Sequence, residues 1–79
     1  MEPNIKEIAG RIRALREDLG IEIQEMARFT GRTEQEYRAQ ESGEQDLSFT
    51  FLYKCAARFG VDVVELLTGE SAKDRKSVV

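Results

Sequence analysis

Residues 22–43 carry the pattern that most constrains the fold of this chain, because a small residue, a glycine and an aromatic residue occur there at defined spacings. Ala27 has a side chain small enough for two short helices to cross closely, and Gly31 follows four residues later. Glycine adopts the left-handed conformation of a tight turn without the roughly 1 kcal/mol that a Cβ costs there. The pattern therefore predicts two short helices joined at Gly31.

Thr33 and Tyr37 define the second of these helices, which is predicted at Glu34–Glu41. The Thr33 hydroxyl can cap the helix N-terminus, and Tyr37 is expected to point back toward Met26 and Ala27. The two helices together form a helix–turn–helix.

Glycines divide the rest of the chain in the same way. Five of them follow stretches of helical periodicity and predict five helices that end near glycine C-caps: Gly20, Gly31, Gly43, Gly60 and Gly69. The other predicted helices are Ile5–Leu19, Ile23–Thr30, Phe49–Phe59 and about 63–67. Asn4 with Glu7 and Asp62 with Glu65 have the spacing of capping boxes at helices 1 and 5.

Apolar residues at helical spacing predict which helix faces are buried. The predicted stripe of helix 1 is Ile5, Ile8, Ala9, Ile12, Leu15 and Leu19, and that of helix 4 is Phe49, Leu52, Tyr53, Ala56 and Phe59. Helix 2 contributes Met26 and Ala27 with Phe29 or Thr30. A single core is predicted from Leu15, Met26, Ala27, Tyr37, Leu52, Ala56, Phe59 and Leu66. Helix 5 is expected to be a lid on this core or a dimer surface.

The composition excludes most catalytic chemistry. The 79 residues suffice for one small domain, and they include no histidine and one cysteine. Cys55 lies in an apolar helical register, which predicts a buried thiol. No metal site, cofactor or enzymatic activity is therefore expected. No apolar run is long enough to span a membrane and no signal pattern is evident, so the expected location is the cytoplasm.

A basic run, RIRALR, lies in helix 1. It is compatible with phosphate binding, but a solvated helix face is the favoured interpretation of Lys6, Arg11 and Arg13. Arg16 is the exception, and its expected role follows from the family resemblance.

The order of the motifs from 5 to 69 resembles the lambda-repressor-like, or XRE-type, helix-turn-helix family. RIRALREDLGI leads into helix 2, EMARFTG spans the turn, ESGE follows helix 3, and LSFTFLYKCAARFGVDVVELLTG closes the domain. The resemblance implies an all-α, compact five-helix DNA-binding domain over residues 1–69, with 70–79 as a flexible tail or linker.

The resemblance also implies that helix 3 enters the DNA major groove and that dimers bind paired half-sites as part of a transcriptional regulator. The base-contacting candidates are then Thr33, Glu34, Gln35 and Arg38. Gln35 suits adenine, Arg38 suits guanine or a phosphate, and Glu34 suits cytosine. The phosphate-contacting candidates are Gln24, Arg32 and Ser42.

Three positions depart from the family pattern. Ile23 replaces a common phosphate-binding glutamine, whereas Arg32 and Gln40 replace residues that are usually apolar. Arg32 is expected to lay its methylenes over the core, and Gln40 to lie at a partly open edge.

The resemblance places Arg16 opposite Glu41, which implies a structural salt bridge between helix 1 and the end of helix 3. Such a pair would fix the angle at which helix 3 is presented.

The charge of the motif opposes DNA binding. Residues 22–46 contain three arginines against seven acidic residues, a net charge of −4. Glu36 and Glu44 are expected to point away from DNA, and Glu34 is not. A second function is therefore open: a scaffold whose acidic helix 3 face binds a basic protein.

The segment after Gly69 is polar and ends in KSVV. By resemblance to a subgroup of the family, it could lead into a C-terminal cupin barrel that senses a small molecule. The alternative is a stand-alone regulator.

Overall fold

The computed structural model describes residues 4–69, which form five α-helices. These are α1 (Ile5–Leu19), α2 (Ile23–Thr30), α3 (Glu34–Glu41), α4 (Phe49–Phe59) and α5 (Val63–Thr68). The prediction of a five-helix all-α fold is confirmed, and only α5 is one residue longer than expected. The predicted tail, 70–79, lies outside the described residues.

The turn between α2 and α3 has the predicted conformation. Gly31 is left-handed with φ = +75°. The backbone N–H of Arg32 donates to the carbonyl of Ala27 at 2.8 Å, which closes the end of α2. The chain then enters α3 through Thr33, two residues after the glycine.

Side-chain caps begin four of the five helices. Asn4, Thr33, Ser48 and Asp62 accept backbone N–H groups, whereas Glu22 at the start of α2 makes no side-chain cap bond. The reciprocal capping box forms only at α3 among the described residues. The boxes predicted with Glu7 and Glu65 are therefore one-sided, because neither glutamate side chain returns a bond to the cap backbone.

The helices enclose a single core. Its members are Ile8, Ile12, Ile21, Met26, Ala27, Tyr37, Phe51, Leu52, Cys55, Ala56, Phe59 and Leu66. Seven of the eight predicted core residues are buried, and Leu15 is partly buried against them. Of the two candidates in α2, Thr30 is buried and Phe29 is exposed.

The predicted register of α4 was partly wrong. Phe49 and Tyr53 are 59% and 54% exposed, and their rings pack edge to face at 4.7 Å between centroids. Phe51 is buried instead, and the predicted burial of Cys55 is confirmed. The predicted burial of Ile5 and Leu19 at the ends of α1 was also wrong, since both are exposed.

Arg11 does not belong to a solvated face. Its Nη1 donates to the carbonyls of Leu66 and Leu67 at 2.9 and 3.1 Å, so the guanidinium caps the C-terminal end of α5. A Cβ at Gly69 would lie 2.9 Å from Nε of Arg11. The arginine therefore fastens the last helix to the first.

The α3–α4 loop rests on the first turn of α1. Gly43 has φ = +83°, and a Cβ there would lie 3.2 Å from Cα of Lys6 and 2.8 Å from its Cγ. This close contact fixes the position of the α3–α4 loop relative to α1 and so its position beside α3.

Candidate nucleic-acid interface

α3 has one buried side and one exposed side. Tyr37, Gln40 and Glu41 are buried, whereas Gln35 and Arg38 are exposed. The buried side chains hold the helix against α1 and α2, so the opposite side is presented to solvent.

The N-terminus of α3 is ordered by its own capping box. The Thr33 hydroxyl accepts the N–H of Glu36 at 3.0 Å, and the N–H of Thr33 donates to Glu36 Oε1 at 3.0 Å. Both bonds stabilise the first turn. The Thr33 hydroxyl keeps its own proton for donation to a ligand.

Glu34 and Arg38 form an ion pair along the exposed side of α3. Arg38 Nη2 donates to Glu34 Oε2 at 3.1 Å, and both side chains are well exposed. An exposed pair one turn apart contributes at most about 0.5 kcal/mol. A phosphate or guanine can therefore compete for Arg38, but the glutamate neutralises part of its charge.

The side chain of Gln35 makes no hydrogen bond to any other described residue, so its amide is available. It lines an open concavity of about 700 Å³ that runs from the start of α3 to the loop beyond it. The lining residues are Thr33, Gln35, Glu36, Arg38, Ala39, Ser42, Glu44 and Gln45. Three of the four base-contacting candidates thus share one surface, and Glu34 lies on the other side of Arg38.

The lining includes two acids and two residues that were not predicted. Glu36 and Glu44 line the concavity, and their expected orientation away from DNA stays a prediction. Ala39 and Gln45 were missed. Ala39 could have been found from its position one turn after Gln35, whereas Gln45 is brought there by the loop.

The three phosphate-contacting candidates lie in different settings. Gln24 is exposed in the first turn of α2 and shares a depression with Glu34 and Arg38. Arg32 is exposed and has no acidic partner among residues 4–69, so its guanidinium is available to a phosphate. The Ser42 hydroxyl donates to the carbonyl of Ala39 at 2.9 Å, and this bond must break before Ser42 can donate to a phosphate.

A helix-turn-helix family model matches residues 12–66 of the chain, and this span includes α2, the turn and α3. The chain belongs to the XRE-type helix-turn-helix family. The clp gene regulator ClgR from C. glutamicum has a similar fold, with a TM-score of 0.73 at 24% identity over 84% of this chain and 87% of that one. A comparison with curated proteins gives no match.

In this helix-turn-helix domain, Arg16 connects three parts of the fold. Its Nε and Nη2 donate to the Glu41 carboxylate at 2.7 and 3.1 Å, and its Nη1 donates to the carbonyl of Ile21 at 3.0 Å. The Tyr37 hydroxyl donates to the same Glu41 oxygen at 2.7 Å. The carboxylate therefore accepts three hydrogen bonds at a site that is 7% exposed.

The network has electrostatic consequences for its members. Burial, followed by the hydrogen bond to Glu41, raises the pKa of Tyr37 well above its usual range. The hydrogen bond to Glu41 raises the pKa of Arg16. Both shifts favour a neutral Tyr37 and a charged Arg16 in the folded state.

Most acids of the motif have partners. Glu25 on α2 forms an ion pair with Arg58 on α4. Glu34 bonds Arg38, Glu36 caps α3, and Glu41 is held by Arg16. Glu22, Glu44 and Asp46 have no side-chain partner among the described residues. Three of the seven acids are thus paired with arginines, and a fourth, Glu36, is hydrogen-bonded to a backbone N–H.

Gln40 is not at an open edge as expected, since it is 3% exposed. Its Nε2 donates to the carbonyl of Asp46 at 3.3 Å, which ties the α3–α4 loop to α3. Its Oε1 is buried and has no partner within residues 4–69. The loop is therefore held at the cost of an unsatisfied acceptor.

Among residues 4–69 no helix has the length and apolar character required to cross a membrane. The same residues contain no group of three or more potential metal ligands.

Proposed function

We propose that the domain binds double-stranded DNA sequence-specifically through α3 in the major groove, as part of a transcriptional regulator that acts as a dimer. The observation that carries this proposal is the unbonded amide of Gln35 on the exposed side of a helix whose opposite side is anchored by Glu41 and Tyr37. Membership of the helix-turn-helix family supports it.

Each candidate on α3 has a distinct role. Gln35 offers a donor and an acceptor at once, which matches N7 and N6 of adenine. Arg38 binds guanine or a phosphate after it leaves Glu34. Glu34 then accepts from a cytosine amino group, or repels the backbone if no cytosine is present.

Gln24, Arg32 and Ser42 are proposed to contact phosphates on either side of the groove. In a dimer, two copies of α3 would occupy half-sites about 34–36 Å apart. A C-terminal effector-sensing domain, which the given 79 residues do not contain, stays a prediction.

The test starts with selection of binding sites from random duplexes. Wild-type protein is expected to enrich one half-site, and titration then compares Gln35→Ala with Gln35→Glu. Loss of the amide should cost about 1–3 kcal/mol and relax specificity at one base pair. The glutamate variant keeps the size but lacks the donor, so it should lose the same discrimination.

Charge variants complete the test. Arg38→Ala should weaken binding, Arg38→Lys should preserve part of it, and Glu34→Gln should strengthen nonspecific binding. If Gln35→Ala, Arg38→Ala and Glu34→Gln all bind as wild type does, α3 does not contact DNA.

A second function is favoured by one observation: Glu22, Glu44 and Asp46 expose carboxylates that have no partner among residues 4–69. In this case the face beside α3 binds a basic protein. Duplex retention that weakens with salt supports the DNA function, whereas no enrichment of any duplex favours the protein scaffold.

A further inference from the structure

Lys54 on α4 lies against the turn between α2 and α3. Its Nζ is 3.9 Å from the position that a Cβ on Gly31 would occupy. The next residue in the chain is Arg32, which is exposed. Two cationic side chains therefore flank the turn, although they come from segments about twenty residues apart.

Neither cation has an acidic partner within the described residues, and the same holds for Arg28 in the last turn of α2. Arg16, Arg38 and Arg58 each have a glutamate partner. The turn is therefore a place where positive charge is uncompensated, in a motif that is otherwise acidic.

The position of the turn relative to α3 suggests what binds there. An α-helix with side chains is about 10–12 Å wide and the major groove is about 12 Å wide, so a helix in the groove leaves little room beside it. Groups just outside the helix then face the phosphate strands. The turn immediately precedes Thr33, the N-cap of α3, and is one of these places.

We propose that Lys54, together with Arg32, forms a phosphate-binding site on the DNA strand that passes the turn. This site rests on the proposed function and extends it to α4, a helix outside the helix-turn-helix itself.

The C-terminal end of α2 gives Lys54 a competing role. The carbonyls at that end attract a cation whether or not DNA is present. A purely structural role predicts that loss of Lys54 lowers stability and leaves DNA binding unchanged, so the two roles can be separated by experiment.

The experiment measures affinity for the selected duplex and for a scrambled duplex over a series of salt concentrations. The proteins are wild type, Lys54→Gln, Lys54→Arg and Arg58→Gln. Arg58 is the matched control because it lies one turn away on α4 and its charge is countered by Glu25.

Lys54→Gln should weaken binding to both duplexes by the same factor. It should also reduce the magnitude of the slope of log affinity against log salt by about 0.9. The ratio of wild-type to variant affinity should therefore shrink about 3-fold between 50 and 200 mM salt. Lys54→Arg should keep the wild-type slope, as should Arg58→Gln. Thermal unfolding should show each variant folded.

An unchanged slope in Lys54→Gln, in a protein in which Gln35→Ala still weakens binding, overturns this site and leaves the proposed function intact. A lower melting temperature with an unchanged slope assigns Lys54 to the end of α2 and also overturns it. If wild-type protein retains no duplex at any salt concentration, both the site and the proposed function are wrong.

Discussion

Arg16 and Glu41 form a two-bond ion pair between α1 and the last residue of α3, with side chains only 11% and 7% exposed. Tyr37 adds a third bond to the same carboxylate. A buried carboxylate is costly without partners, so the end of α3 is held where these donors lie. The pair thus determines the tilt of the helix proposed to enter the groove.

A double-mutant cycle on this pair should show strong coupling. Arg16→Met or Glu41→Gln alone should each lower the free energy of unfolding by about 3 kcal/mol, because either change leaves a buried partner unpaired. Denaturant unfolding of the singles and the double gives the coupling energy. A value below about 0.5 kcal/mol would mean that the pair contributes no more than a surface contact does.

Overpacking at the helix crossing should destabilise the domain. Ala27 is buried where α2 packs against its neighbours, so Ala27→Leu should cost about 1–3 kcal/mol. Ala57→Leu is the control, since Ala57 is exposed on α4. Equal melting temperatures for the two variants would contradict close packing at Ala27.

A Cβ at Gly43 should be more damaging than one at Gly60. Both glycines have positive φ, but Gly60 faces open space, whereas a Cβ at Gly43 meets backbone and side-chain atoms of Lys6. Gly60→Ala should therefore cost only the conformational strain of about 1 kcal/mol. Gly43→Ala should cost about 1–3 kcal/mol more. Urea unfolding of both variants measures the difference. Similar midpoints would show that the α3–α4 loop moves to accommodate the added methyl group at little cost.

Replacing the buried amide of Gln40 should stabilise the domain. Its unsatisfied Oε1 carries a desolvation penalty of about 1–3 kcal/mol, while the bond from Nε2 to Asp46 is long. Gln40→Met keeps the length of the side chain and should raise the free energy of unfolding by about 1 kcal/mol. Gln45→Met, at an exposed position, should give no gain. A loss in Gln40→Met would show that the bond to the loop outweighs the penalty.

Stability should fall at alkaline pH because of the buried thiol. Burial, with a further contribution from the charge of Glu41, raises the pKa of Cys55 from 9.0 to about 12. The folded state therefore retains a proton that the unfolded chain loses. The stability that the protonated, buried thiol contributes is fully present below about pH 9. It is lost as pH rises toward 12, and the free energy of unfolding falls by up to about 1.4 kcal/mol per pH unit.

Tyr37 acts in the same direction above about pH 10, since its pKa is also raised. Chemical unfolding under reducing conditions at pH 8, 9 and 10 should show the decline in wild type and a flatter profile in Cys55→Ala. Parallel profiles would indicate that the thiol ionises equally well in both states.

Helix ends were predictable from the sequence, whereas the register of α4 was not. Gly31 and Gly60 end helices because few other residues tolerate their conformation, and this signal is local. Eight of the eleven residues of α4 are apolar or aromatic, so a stripe that includes Phe49 and Tyr53 and one that includes Phe51 both fit the sequence. Only the packing of the neighbouring helices selects the second.

The roles of Arg11 and Gln45 depend on distant parts of the chain, so sequence reasoning could not find them. Arg11 looks like any exposed base of an amphipathic helix until α5 ends beside it. By contrast, the position of Arg16 opposite Glu41 was expected from the family resemblance, because the order of motifs carries three-dimensional information that single residues lack.

The division of α3 into an anchored side and an exposed side makes its binding specificity exchangeable. Gln35 has no bond to the fold and the exposed Glu34–Arg38 pair contributes little, while Tyr37, Gln40 and Glu41 hold the helix from behind. Substitutions at the exposed positions should leave folding almost unaffected. The domain is therefore a suitable scaffold on which new operator preferences can be evolved or designed without re-engineering its core.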